Sequence, residues 1–162
     1  MKKIKTFQLF EKKSQKDLSD ILNKHISLNM VSNINFEISE LLISLGAIPE
    51  KANILISFST IHAYDKYFKQ FDIFSEYFDI NDTYYINGGY PKETLLSMAI
   101  HNNNILIAAE LLRRGANIDI KTKHNDDLIY FLDDEDIETI NKKNLGFKTK
   151  INRLRKSRKF NL

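Results

Sequence analysis

Four histidines, His25, His62, His101 and His124, are the side chains best suited to proton transfer or metal binding near neutral pH. No two stand at the helical spacing that lets two imidazoles share a metal, and no carboxylate triad converges on them. They read as structural or surface residues. The acids Asp126, Asp127, Asp133, Asp134, Glu135 and Asp136 are dense enough to suggest calcium, but they lack the alternating spacing and the glycine of a calcium loop. Negative charge at 133–136 suits a solvated helix start instead. Cysteine is absent, which removes disulfides, thiol nucleophiles and thiolate zinc sites. Gly88-Gly89 is the only glycine-rich element, and no phosphate-binding loop or Ser-His-Asp pattern is visible. These patterns predict no catalytic residue, no metal and no cofactor.

Other groups are suited to binding. Residues 58–90 hold 11 of the chain's 18 aromatics. Tyr67, Phe68, Phe71, Phe74 and Phe78 recur at helical spacing and read as core. Tyr84, Tyr85 and Tyr90 fall in the loop-like stretch NDTYYINGGY, where tyrosine makes a stiff interface anchor with a polar tip. Residues 142–162 carry nine Lys or Arg and no acid, directly after the stretch 126–138 with its seven acids. The basic segment has the charge to meet nucleic acid or an anionic membrane, yet no stacking platform or base-reading motif accompanies it in sequence. Ile151, Leu154 and Phe160 would give it an apolar edge. A solvated or capping segment is therefore favoured over a nucleic-acid arm.

The elements that must position these residues are helical. In KETLLSMAIHNNNILIAAELLRRGANIDI, 92–120, Thr94 can cap a helix by accepting an orphan backbone N–H. Leu95, Leu96, Met98, Ala99 and Ile100 form that helix. Asn103 suits a left-handed turn. Ile107, Ala108, Leu111 and Leu112 give a second helix one apolar face. Gly115 ends it, with Arg113 and Arg114 at the negative end of its dipole. FEISELLISLGAIP, 36–49, has the same ending at Gly46, 69 residues earlier. Between them, 52–63 and 66–78 read as another helical pair, with Asp79-Ile80-Asn81 a loose substitute for the missing glycine. Upstream, 16–31 reads as the partner of 36–45. Downstream, 127–132 reads as a first helix and 136–143 as an abbreviated second one.

The stretch 89–121 resembles an ankyrin repeat on Thr94, the helical pair and Gly115-Ala116-Asn117. Leu95 and Ser97 depart from the signature Pro and His, which should soften the repeat. The separation of the two glycines is close to two repeat periods of about 33 residues. The resemblance implies an all-α solenoid of about three and a half to four helix-turn-helix units with projecting hairpin loops. The repeats would be 16–49, 50–88, 89–121 and 122–141 in a domain 1–141, followed by the basic segment 142–162. It implies a non-enzymatic protein-binding module whose contacts fall on Tyr90, Glu93, His101, Asn102 and Lys121, then on Lys123, His124, Asp126 and Asp134. Tyr84 and Tyr85 join them from the loop. Alternatives are an immunity protein that neutralises a cognate toxin, and a nucleic-acid- or anionic-surface-binding protein using the basic segment.

Bulk properties fit this class. Hydrophobic content is 43% and charged content 28%, an ordinary soluble balance. No proline-rich or low-complexity linker marks a boundary, and no apolar run is long enough to span a membrane. The N-terminal MKKIKTFQLFEKKS lacks the unbroken apolar stretch of a signal peptide. The expectation is a cytoplasmic protein, monomeric alone, or an effector exported by a non-classical route. The abundance of Lys, Asn and Ile suggests an AT-rich genome.

Overall fold

A computed structural model describes residues 13–28, 36–58, 63–83, 93–120 and 128–159. Eight α-helices and one 3-10 helix account for its regular structure, and no strand occurs among the described residues. The chain divides into two compact units, Met1–Phe78 and Asp79–Leu162.

The first unit contains α1 (Gln15–Leu28), α2 (Phe36–Ser44), α3 (Lys51–Ser57) and α4 (Tyr64–Phe74). Helix α1 packs against α2 and against α3, while α2 packs against α4. First helices thus meet first helices and second helices meet second helices, the arrangement of two stacked hairpins. Leu18, Leu22 and Ile26 of α1 are buried at spacings of four residues, as one apolar stripe requires. The aromatics expected to be core are core. Tyr67, Phe68, Phe71, Phe74 and Phe78 are buried, and Phe58 sits against Tyr67, Phe71 and Phe78 at ring centroid distances of 4.6, 6.3 and 5.8 Å. The tilted and edge-on geometries are those that the ring quadrupole favours.

Helix α2 ends in a Schellman closure. The Ala47 N–H donates to Leu42 O at 2.9 Å, the Gly46 N–H donates to Ile43 O, and Gly46 has φ of 94°. The chain beyond it is laced to α1. The Ile48 N–H donates to Ser19 Oγ and the Glu50 N–H donates to Asn23 Oδ1, so two backbone donors of the connection find partners on the neighbouring first helix.

The second unit contains α5 (Leu95–His101), α6 (Ile105–Arg113), the 3-10 helix Leu128–Phe131, α7 (Asp134–Lys143) and α8 (Phe147–Lys159). The same rule of like on like holds. Helix α5 packs on the 3-10 helix, α6 packs on α7, and α8 covers α7. Asn103 occupies the left-handed turn between α5 and α6 with φ of 56°. Gly115, at φ of 101°, repeats the closure seen at Gly46, with the Ala116 N–H donating to Leu111 O at 2.9 Å.

Several local expectations differ from the structure. The stretch expected as the first helix of the last repeat is a 3-10 turn, while its second helix is a full ten residues starting at Asp134. Asp133 and Asp136 make a reciprocal capping box there, which fixes the helix start earlier than hydrophobic periodicity does. Asp79-Ile80-Asn81 has no left-handed residue. The loop is held instead by Asp79 and Asp82, with the Asp79 N–H donating to Asp82 Oδ2 at 2.7 Å. On α6, Leu112 is only half-buried, whereas Ala109 and Glu110 are buried, because α6 is covered by both α5 and α7. The hairpin loop around Gly88-Gly89 lies outside the described residues.

Candidate partner-binding site

Helix α5 is seven residues long and its first six are buried, so it is a core element that offers only its ends to solvent. Its start is held by Thr94 and Ser97. The Ser97 N–H donates to Thr94 Oγ1 at 3.0 Å and the Thr94 N–H donates to Ser97 Oγ at 2.8 Å. Ser97, expected to soften the repeat, is therefore half of a capping box that satisfies two orphan donors. Its hydroxyl also hydrogen-bonds the Glu93 carboxylate, which ties the residue before the cap to the helix.

At the other end His101 and Asn102 emerge. The His101 ring meets the Phe131 ring edge-on, with centroids 4.8 Å apart and planes at 78°. His101 Nδ1 lies 3.7 Å from Glu93 Oε2. Asn102 is exposed and closes α5, its backbone N–H donating to Met98 O and Ile100 O. Glu93, Ser97, His101 and Phe131 thus form one connected cluster, built from the start of α5, its end and the following 3-10 turn.

Asp134 belongs to another neighbourhood. Its side chain is 98% exposed, and its carboxylate lies 3.5 Å from Arg155 Nη1 on α8. Tyr84, Tyr85, Tyr90, Lys121, Lys123, His124 and Asp126, expected as contacts, lie outside the described residues.

Sequence reasoning missed Tyr130, Phe131 and Arg155. Tyr130 is 62% exposed and Phe131 49%, while the preceding Leu128 and Ile129 are fully buried. An α-helical reading of 127–132 hides this split. A four-residue 3-10 turn with two apolar residues inward and two aromatics outward produces it. Arg155 was read as one charge among nine, but its Nη2 donates to Leu132 O at 2.8 Å and to Ile129 O at 3.4 Å.

Electrostatics in the second unit centre on Glu110. Its buried carboxylate accepts hydrogen bonds from Arg113 Nε at 2.8 Å and Arg114 Nε at 2.9 Å. The Arg113 hydrogen bonds foremost, then those of Arg114, hold its pKa at about 2 against the pull of burial. Glu110, Arg113 and Arg114 thus form a local ion-pair network at the end of α6. Among the described residues, no group of three or more His, Asp or Glu side chains is placed to hold a metal ion. No helix among them is long and apolar enough to cross a membrane.

Residues 92–123 match the family model of the ankyrin repeat. This chain carries an ankyrin repeat. The matched stretch runs from the Thr94 cap through α5, the Asn103 turn, α6 and the Gly115 closure, the same features that carry the resemblance in sequence. No curated protein and no solved structure matches the chain. The ankyrin repeat, with like-on-like packing in both units, identifies the all-helical fold as that of a helical repeat solenoid. Within the ankyrin repeat, His101 and Asn102 stand at the end of the first helix, and Glu93 at its entry.

Proposed function

We propose that the chain is a non-enzymatic binding protein that holds a partner protein on the face carried by the first helices and the loops between them. Ankyrin repeats serve as protein-protein interaction modules, which is the general class to which the matched repeat assigns it. The observation that best supports the finer reading is the contact between His101 and Phe131. It joins the end of one first helix to the equivalent segment of the next repeat, and it leaves both rings partly in solvent. Stiff, half-exposed rings held in place by their neighbours are what a partner's side chains pack against at low entropic cost. Glu93 and Asn102 add polar contacts beside them. The loop residues Tyr84, Tyr85, Tyr90, Lys121, Lys123, His124 and Asp126 complete the proposed face.

The test uses the partner recovered from the native organism by pull-down with the full chain. Its affinity for His101→Ala, Asn102→Ala and Tyr90→Ala is measured beside a thermal melt of each variant. Truncation of an anchoring ring should weaken binding by about tenfold or more while the melt stays close to wild type. Wild-type affinity in the triple variant would show that the partner sits elsewhere.

A further inference from the structure

We infer that the groove between the 3-10 turn and α8 receives an acidic segment of a partner protein, with an aromatic or aliphatic side chain seated against Tyr130. The groove is open to solvent, has a volume of about 510 Å³ and is lined by Tyr130, Asn152, Arg155 and Lys156. That volume lies within the range of pockets that hold small ligands or a few side chains, about 300–1,000 Å³. In sequence no aromatic stacking platform accompanies the basic helix. The fold supplies one from the preceding element, because Arg155 docks on the carbonyls of Ile129 and Leu132 and so brings α8 beside Tyr130.

The charge of the groove favours an anion. Residues 147–159 contain no acid. Three basic residues of α8 have acidic partners within the fold, Lys148 in Glu138, Lys150 in Asp119 and Arg155 in the almost fully exposed Asp134. Lys156 is exposed and makes no ion pair among the described residues. Arg155 Nη2 is held by two backbone carbonyls and Nη1 lies 3.5 Å from the exposed Asp134, so the guanidinium is already ordered and a partner carboxylate meets Lys156 first, with Arg155 beside it.

The surroundings favour a peptide over a nucleic acid. Asp133, Asp134 and Glu135 are exposed at the start of α7, and Asp134 already reaches Arg155. A phosphodiester backbone passing Arg155 would meet these carboxylates along its length. A peptide presents one or two carboxylates at chosen positions and avoids the rest.

The inference rests on the protein-binding reading above, and its test addresses the groove alone. A fluorescein-labelled pool of peptides about ten residues long, with glutamate alternating with tyrosine, phenylalanine or leucine, is titrated with the full chain and read by anisotropy. A pool with glutamine in place of glutamate and a labelled oligodeoxythymidine are run in parallel. The acidic pool should bind, and the glutamine pool should bind at least about tenfold more weakly. Lys156→Glu and Tyr130→Ala should each weaken the acidic pool by about tenfold or more with an unchanged melt. Lys156→Gln serves where the charge reversal disturbs folding. No binding at about 1 mM, equal binding of the glutamine pool, or indifference to both substitutions overturns the inference. Tighter binding of the oligonucleotide, lost in the same variants, assigns the groove to nucleic acid and overturns it as well. Loss of native partner binding in His101→Ala with the peptide pool still bound bears on the first-helix face and leaves the groove in place.

Discussion

Asn144 donates its side-chain amide to the backbone carbonyl of Ala109 at 2.6 Å, across 35 residues. The donor closes α7 and the acceptor lies in the buried stretch of α6, so the bond fastens the end of one second helix to the middle of the previous one. Asn144→Ala should destabilise the second unit by about 1–2 kcal/mol, since a part-buried hydrogen bond of this kind contributes roughly 1 kcal/mol and its loss leaves an acceptor less well satisfied. A thermal melt lowered by about 4–8 °C is the expected reading for a unit of this size. An unchanged melt would show that the bond adds nothing net.

Glu110 gives the second unit a dependence on acid. Its folded pKa of about 2 is below the ordinary glutamate value of 4.5. A depressed carboxyl pKa contributes stability that is fully present above the unfolded value and is lost as pH falls through the folded one. The window is therefore about pH 4.5 down to about pH 2. Arg113 is 55% exposed, so water screens part of the pair and the contribution is about 2 kcal/mol rather than the full shift. Urea melts from neutral pH downward should show wild type losing this increment while Glu110→Gln does not. Parallel losses in the two proteins would contradict the assignment.

Leu111 is fully buried on α6. Leu111→Asp places an unpaired charge between packed helices, which costs several kcal/mol, on the order of a small unit's whole stability. The expected circular-dichroism spectrum has lost helix at ambient temperature. Retention of a wild-type melt would mean that α6 turns a different face inward.

Gly115 and Gly146 have φ of 101° and 89°, and a Cβ at either would touch nothing within 4 Å. Gly115→Ala and Gly146→Ala should each cost about 1–2 kcal/mol through backbone conformation alone. Asn103, also left-handed at φ of 56°, should accept Gly with a change of no more than about 0.5 kcal/mol. Urea denaturation of the three variants tests the contrast. Equal effects at all three positions would show that these turns relax.

What the sequence disclosed and what it hid follow from range. Thr94, Asn103 and Gly115 act on residues within a turn of themselves, so type and spacing expose them. The phenylalanines of α4 repeat with the helix and are buried as that period requires. Glu110 was hidden because a carboxylate in a row of apolar residues reads as exposed until two arginines are seen to close over it. Asn144 and Arg155 were hidden because their acceptors lie more than 20 residues away. Tyr130 and Phe131 were hidden by the wrong helical period, since 3.6 and 3.0 residues per turn send the same side chains to different sides. Of the contacts expected from sequence, Glu93 and His101 are neighbours in the structure, while the ring that His101 packs against was not legible.

Helix α8 has a consequence for self-association. In a repeat stack each second helix offers one side to the hairpin before it and the other to the hairpin after it. On α7 the first side is taken by α6 and another by α8, with Phe147 and Ile151 buried there. The apolar surface on which a second molecule could continue the stack is thereby closed by the chain's own helix. Head-to-tail growth from α7 would first have to displace Arg155 from Leu132 and Ile129.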